Sequence, residues 1–150
     1  LGTMSATISL TTFPLELSPG NMSQIPDIYS EDITLIDPVG THHGLHTLHH
    51  YYAAVLTGAT SSNFVIHQIL PHKTPEPLQD TSFTVTWTMS FATPKLNRGN
   101  LIHVDGITLL KIRDDKIYFH QDYYDMGQMV YEHVPLLKWV VNKIKSGMRA

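Results

Sequence analysis

His120, Asp122 and Tyr124 fall at alternate positions of Lys116-Ile117-Tyr118-Phe119-His120-Gln121-Asp122-Tyr123-Tyr124. An extended chain there turns an imidazole, a carboxylate and a phenol to one face. That set suits acid/base work, because desolvation raises a carboxylate toward neutral pH and an adjacent imidazole can relay a proton. The same groups would also serve as a buried pair that fixes a sheet without doing chemistry. Asp37 ends the apolar run Ile33-Thr34-Leu35-Ile36 and precedes Pro38, a place where an aspartate either acts as a base or caps the following turn. His42, His46 and His50 repeat every four residues, with His43 and His49 beside them. On a helix His46 and His50 lie one turn apart and could hold zinc or nickel. A third ligand would have to come from His42, outside the helix, and no Glu occupies the metalloprotease position. The expectation is therefore solvated rings, with no metal and no cofactor.

These groups need elements to hold them. Pro14, Pro19, Gly20 and Pro26 break the first 28 residues into short helical pieces, with Asn21 placed to cap one running toward Tyr29. Residues 33–36 read as a short strand stopped by Pro38. Over 44–57 the positions Leu45, Leu48, Tyr52, Val55 and Leu56 recur at helical spacing with Gly58 as a stop, which predicts an amphipathic helix with one buried face. Residues 63–70 read as a strand, and Pro71, Pro75 and Pro77 then predict a surface loop able to act as a lid. In 81–91 Phe83, Val85, Trp87, Met89 and Phe91 alternate with Thr84, Thr86, Thr88 and Ser90, the pattern of a strand with one buried face. The opposite face is uncharged and suits water, another layer or a second subunit. Residues 101–112 and 116–124 read as two strands joined at Arg113-Asp114-Asp115. A short helix is expected near Met126, and Pro135 opens a final helix with Leu137, Val140, Val141 and Ile144 on one stripe. Helices segregated from a run of antiparallel strands mean an α+β fold.

The totals narrow the function classes. With 150 residues and 42% hydrophobic content the chain can bury one core. Residues 1–17 read as a loosely ordered arm, with Leu1-Gly2-Thr3 ahead of a natural start at Met4, and 18–150 as one domain. Net charge is −3 with no basic run, so nucleic acid is not expected as a partner. There is no cysteine for a disulfide or a thiolate metal site, which fits a reducing cytoplasm. No apolar segment approaches the roughly 20 residues that span a bilayer, so no membrane partner is expected. Ten histidines against ten Lys plus Arg would move the formal charge from −3 to −3 + 10 = +7 on full protonation.

The order of elements, with Tyr29-Ser30-Glu31-Asp32-Ile33-Thr34-Leu35-Ile36-Asp37-Pro38 before a helix opened by Gly44-Leu45, resembles the nuclear transport factor 2-like superfamily over most of 18–146. Lys116-Ile117-Tyr118-Phe119-His120-Gln121-Asp122-Tyr123-Tyr124-Asp125 is similar to the last-strand signature of its SnoaL-like members. Tyr131-Glu132-His133-Val134-Pro135-Leu136-Leu137 resembles a bacterial subgroup. The resemblance implies a curved sheet wrapped into a cone, helices closing a pocket for a small organic molecule, and a homodimer through the outer sheet face. Its members include ketosteroid isomerases, epoxide hydrolases, polyketide cyclases, dehydratases and non-catalytic binders, so the fold leaves function open. It implies that Asp37 stands at the isomerases' general base and Asp122 at the carboxylate that orients water in the hydrolases, with His120 beside it. Thr108 stands where the isomerases keep a neutral acid, and Asp105 shares its strand on the opposite face unless Gly106 bulges. Tyr29, Trp87, Met89 and Leu110 would form the apolar wall beside Tyr124. The hydrolases' Arg and second Asp have no counterpart around 85–88, and Gln121 stands where the subgroup carries Arg.

Overall fold

The computed structural model describes residues 19–57, 61–73, 81–129 and 135–149 of the chain. The expected arm at 1–17, the stop at Gly58, Pro75 and Pro77 of the expected lid, and residues 131–134 of the third motif lie outside the described residues. A 3-10 turn at Pro19–Gln24 leads into a one-turn helix, α1 (Ile25–Ile28), with Pro26 in its first turn. Asn21 lies within the 3-10 turn, and Gln24 precedes α1 without a side-chain cap, so the expected Asn21 cap is corrected.

Six strands follow: β1 (Tyr29–Asp37), β2 (Gly40–His43), β3 (Ser61–His72), β4 (Thr81–Ala92), β5 (Ile102–Arg113) and β6 (Lys116–Tyr124). The helices are α2 (Leu45–Thr57) between β2 and β3, then α3 (Met126–Met129) and α4 (Pro135–Met148) after β6. They make one curved, unclosed α+β sheet in the order β2-β1-β6-β5-β4-β3. Neighbours are antiparallel except β1 and β6, which run parallel. β2 was not expected from the sequence. It exists because Asp37-Pro38-Val39-Gly40 turns the chain back, pairing Leu35 with His42 and Asp37 with Gly40. Asp114 and Asp115 have φ of 54° and 62°, the left-handed pair of a two-residue β5–β6 hairpin.

One sheet face, α1 and α2 enclose the core. Tyr29, Ile33 and Leu35 of β1, Phe83, Val85 and Trp87 of β4, Leu110 and Ile112 of β5 and Ile117 of β6 pack with Ile25 and with Leu48 of α2. Leu48 is buried as its spacing predicts, whereas Val55 of the same expected face is exposed. On α4, Val140 and Ile144 are exposed together with Trp139 and Met148.

Two irregularities decide which side chains face this core. Lys111 pairs with Phe119 and Ile112 with Ile117, so Tyr118 is an extra residue in β6. A one-residue insertion inverts the alternation. Ile117 before it and His120, Asp122 and Tyr124 after it therefore share the inner face. In β3, Ile66 pairs with Trp87 and Gln68 with Thr86, so His67 is the extra residue and both Phe64 and Ile69 pack against the core.

Candidate functional site

Cross-strand register places the predicted residues in rows. Thr108 of β5 pairs with Asp122, Leu110 with His120 and Gly106 with Tyr124. On the other side of β5, Trp87 pairs with Gly106 and Val85 with Thr108. A Cβ at Gly106 would lie 2.3 Å from the Trp87 ring. Only a glycine admits the indole there, and the ring therefore lies across β5 toward Tyr124, with centroids 6.2 Å apart.

A chain of hydrogen bonds runs through this grid. Trp87 Nε1–H donates to Thr108 Oγ1 at 2.8 Å, and Thr108 in turn donates to Asp122 Oδ1. The same Asp122 oxygen lies 2.8 Å from His120 Nε2. His120 Nδ1 lies 2.9 Å from the Tyr29 hydroxyl, which is 3.2 Å from the Tyr52 hydroxyl of α2. Burial pushes the Tyr29 and Tyr52 phenols well above the ordinary tyrosine value, so each keeps its one proton through the neutral range. One arrangement is consistent with these contacts. Tyr52 donates to Tyr29, Tyr29 to His120 Nδ1, and His120 Nε2–H to the Asp122 carboxylate. In that arrangement His120 Nε2–H is the donor toward Asp122, an assignment made from its partners.

Asp122 is the open end of the chain. Its side chain is 21% exposed against 12% for His120. Both donors reach Oδ1, and Oδ2 has no hydrogen-bond partner among the described residues. Tyr51 and Tyr124 feel its charge: burial first, then for Tyr51 its hydrogen bond to Asp37, and the charges of Asp37 and Asp122 raise both phenols above their usual range. They too remain O–H donors.

Asp37 is more enclosed. Its Oδ1 accepts Val39 N–H at 2.9 Å and Gly40 N–H at 3.1 Å, while Oδ2 accepts the Tyr51 hydroxyl. The two amides on Oδ1 are what the turn-capping role requires. Beside it, the His42 ring lies against Tyr51, with centroids 3.8 Å apart and the planes tilted by 33°.

The inner face thus gathers Tyr29, Trp87, Thr108, His120 and Asp122 by hydrogen bonds, with Tyr124 against Trp87 and Leu110 buried behind them. Met89 is half-buried and packs between the two parts of the core. Asp105 is not brought in. The β4–β5 register runs unbroken past Gly106, so no bulge turns Asp105 inward, and it accepts a hydrogen bond from Thr88 at 2.6 Å on the outer face. Sequence reasoning missed Tyr51 and Tyr52 as site residues, and treated His42 only as a candidate metal ligand. Tyr52 shared the buried-face spacing of α2, but nothing local marks Tyr51 as the partner of Asp37. His46 and His50 meet edge to face at 4.5 Å, and no group of three potential ligands gathers among the described residues. No helix among the described residues is long and apolar enough to cross a membrane.

Residues 12–120 match the sequence profile of the SnoaL-like domain. The chain belongs to the SnoaL-like family. Solved structures with the same fold include an Acidithiobacillus ferrooxidans protein provisionally assigned as a polyketide cyclase. It is 16% identical with a TM-score of 0.68, over 89% of this SnoaL-like chain and 96% of that one. A Catenulispora acidiphila protein with a ketosteroid isomerase-like fold, solved with trimethylamine, is 17% identical with a TM-score of 0.66, over 83% and 89%. TerC, co-crystallised with polyporic acid, is 16% identical with a TM-score of 0.63, over 85% and 94%. No curated protein matches the chain.

Proposed function

We propose that this SnoaL-like protein binds a small, largely apolar organic molecule bearing a carbonyl or hydroxyl group and acts on it by acid/base chemistry, as an isomerase, hydrolase or cyclase. The observation that carries this reading is the asymmetry of Asp122. One oxygen is fixed by His120 and Thr108, and the other has no hydrogen-bond partner among the described residues, on a face shared with Trp87 and Tyr124. Asp122 Oδ2 is the base that takes a proton from the bound molecule. His120 orients the carboxylate and stabilises its charge, and Tyr124 offers its O–H to oxygen on which negative charge develops. Asp37, saturated by Val39, Gly40 and Tyr51, positions Tyr51 and the hairpin and does not collect the proton itself. Bound trimethylamine and polyporic acid in proteins of the same fold support the use of this scaffold for small molecules.

The test needs no natural substrate. Enolisable ketones in deuterated buffer exchange their α-protons, and NMR follows the rate. Exchange catalysed by the protein should fall by about 10²–10⁴ in Asp122→Asn, with Asp37→Asn retaining most of it. Equal rates for wild type and Asp122→Asn would rule the assignment out.

A second reading has its own observation. Val65, Leu70, Ile107 and Tyr123 are exposed on β3, β5 and β6, outside the core. A non-catalytic homodimer that uses this face is the alternative, and light scattering of wild type and Ile107→Glu distinguishes a dimer that dissociates from a chain that is monomeric throughout.

A further inference from the structure

Trp87 carries a polar task besides its place in the apolar wall. Gly106 leaves room for the indole over β5, and the ring edge that a Cβ there would strike, Cη2, Cζ2 and Cε2, is the edge next to Nε1. Nε1–H reaches Thr108 Oγ1, 2.8 Å away and two residues beyond Gly106 on the same strand. Trp87 and Thr108 are both buried, so this bond forms at low local dielectric, where it is stronger than in water.

The chemistry of the two groups gives the bonds a direction. An indole N–H donates and accepts nothing, whereas a hydroxyl has one proton and two lone pairs. Thr108 therefore takes the Trp87 hydrogen on a lone pair and cannot turn its own proton back to the indole. That proton goes to Asp122 Oδ1. Donation by the indole also polarises the Thr108 hydroxyl and strengthens its hold on the carboxylate. His120 Nε2 meets the same oxygen at 2.8 Å. Oδ1 is thus held from two sides, and Oδ2 is the oxygen with no hydrogen-bond partner among the described residues.

We propose that Trp87 is a positioning residue for Asp122. Acting through Thr108, it holds the carboxylate by Oδ1 and so presents Oδ2 to the ligand. This role rests on the reading of Asp122 as the base, and adds to it a residue two strands away, on β4, that reaches the base through β5.

The decisive variant replaces Trp87 with 3-benzothienylalanine, in which sulfur stands in place of N–H and the ring keeps nearly the same shape. It is compared with Thr108→Val, with both changes combined and with Thr108→Ser, through ketone exchange in deuterated buffer. Loss of the indole donor should lower kcat by about three- to tenfold, with KM little changed because the ring surface is kept. Thr108→Val removes a bond to a charged group and should cost about 10- to 100-fold, and Thr108→Ser should recover most of the rate. The combined variant should lose no more than Thr108→Val alone, because the indole acts through that hydroxyl. A wild-type rate in the isostere overturns the proposal, and so do two losses that multiply in the combined variant.

A second readout needs no turnover. Asp122→Asn should move the NMR resonance of the Trp87 indole N–H in the otherwise wild-type protein, and move it much less in Thr108→Val. An indole resonance that ignores Asp122→Asn overturns the proposal. Exchange unaffected by Asp122→Asn, with the indole resonance responding through Thr108, supports the Trp87 arm and sinks the catalytic reading alone.

Discussion

At the residue scale the candidate site is a problem of hydrogen-bond accounting. Tyr29 was expected as part of an apolar wall, yet its hydroxyl joins His120 to Tyr52. Tyr29→Phe removes that hydroxyl and strands two buried partners, which should cost about 1–3 kcal/mol in urea unfolding. The same variant frees His120 to change tautomer, so ketone exchange should fall while ligand affinity changes less. Gly106 is the other decisive residue. Gly106→Ala would drive a methyl group into the Trp87 ring at 2.3 Å, and the ring has no room to give without breaking its bond to Thr108. A loss of about 1–3 kcal/mol is expected, with a change in the near-ultraviolet circular dichroism of the displaced tryptophan.

At the element scale the β1–β2 hairpin depends on Asp37. Asp37→Ala removes the acceptor for two turn amides and the Tyr51 hydroxyl, and should destabilise the fold by about 1–3 kcal/mol in the same denaturation measurement. Asp37→Asn keeps an acceptor for the turn and should lose much less. That contrast separates the capping role from a proton-accepting one, since a general base would lose activity in both variants. Much of the strand pattern was legible: alternation in 81–91 marked β4, 116–124 read as a strand with alternation at 120, 122 and 124, and Arg113-Asp114-Asp115 marked the hairpin. β2 was not legible, because Gly40-Thr41-His42-His43 has no apolar alternation and becomes a strand only by pairing with β1.

At the scale of the whole molecule the phenols give a pH dependence. Tyr29, Tyr51, Tyr52 and Tyr124 are all raised above the ordinary value of 10.0, chiefly by burial. Above that pH the unfolded chain releases tyrosine protons that the folded chain still holds. Stability is therefore fully present below about pH 10 and declines as pH rises beyond it. The melting temperature should be lower at pH 11 than at pH 9, and Tyr29→Phe should narrow the difference. An equal melting temperature at the two pH values would contradict the burial of these phenols. On the outer face His67 bonds Thr88 at 2.7 Å, His103 bonds Ser90 at 2.7 Å, and His72 bonds Thr84. Many of the ten histidines thus lie away from the inner site, in keeping with their expected surface character.

The sequence by itself determined the α+β class, the SnoaL-like resemblance and the sharing of one strand face by His120, Asp122 and Tyr124. Those properties follow from periodicity and local motifs, which act over a few residues. Tertiary structure decided what that face meets. The extra residue at Tyr118 sets β6 so that Ile117 and His120 both point inward. Parallel pairing brings β1 against β6, and α2 delivers Tyr51 to Asp37 and Tyr52 to Tyr29. Each of these depends on register between segments far apart in the chain, and register is fixed by the packing of the whole core, which alternation within one strand does not encode.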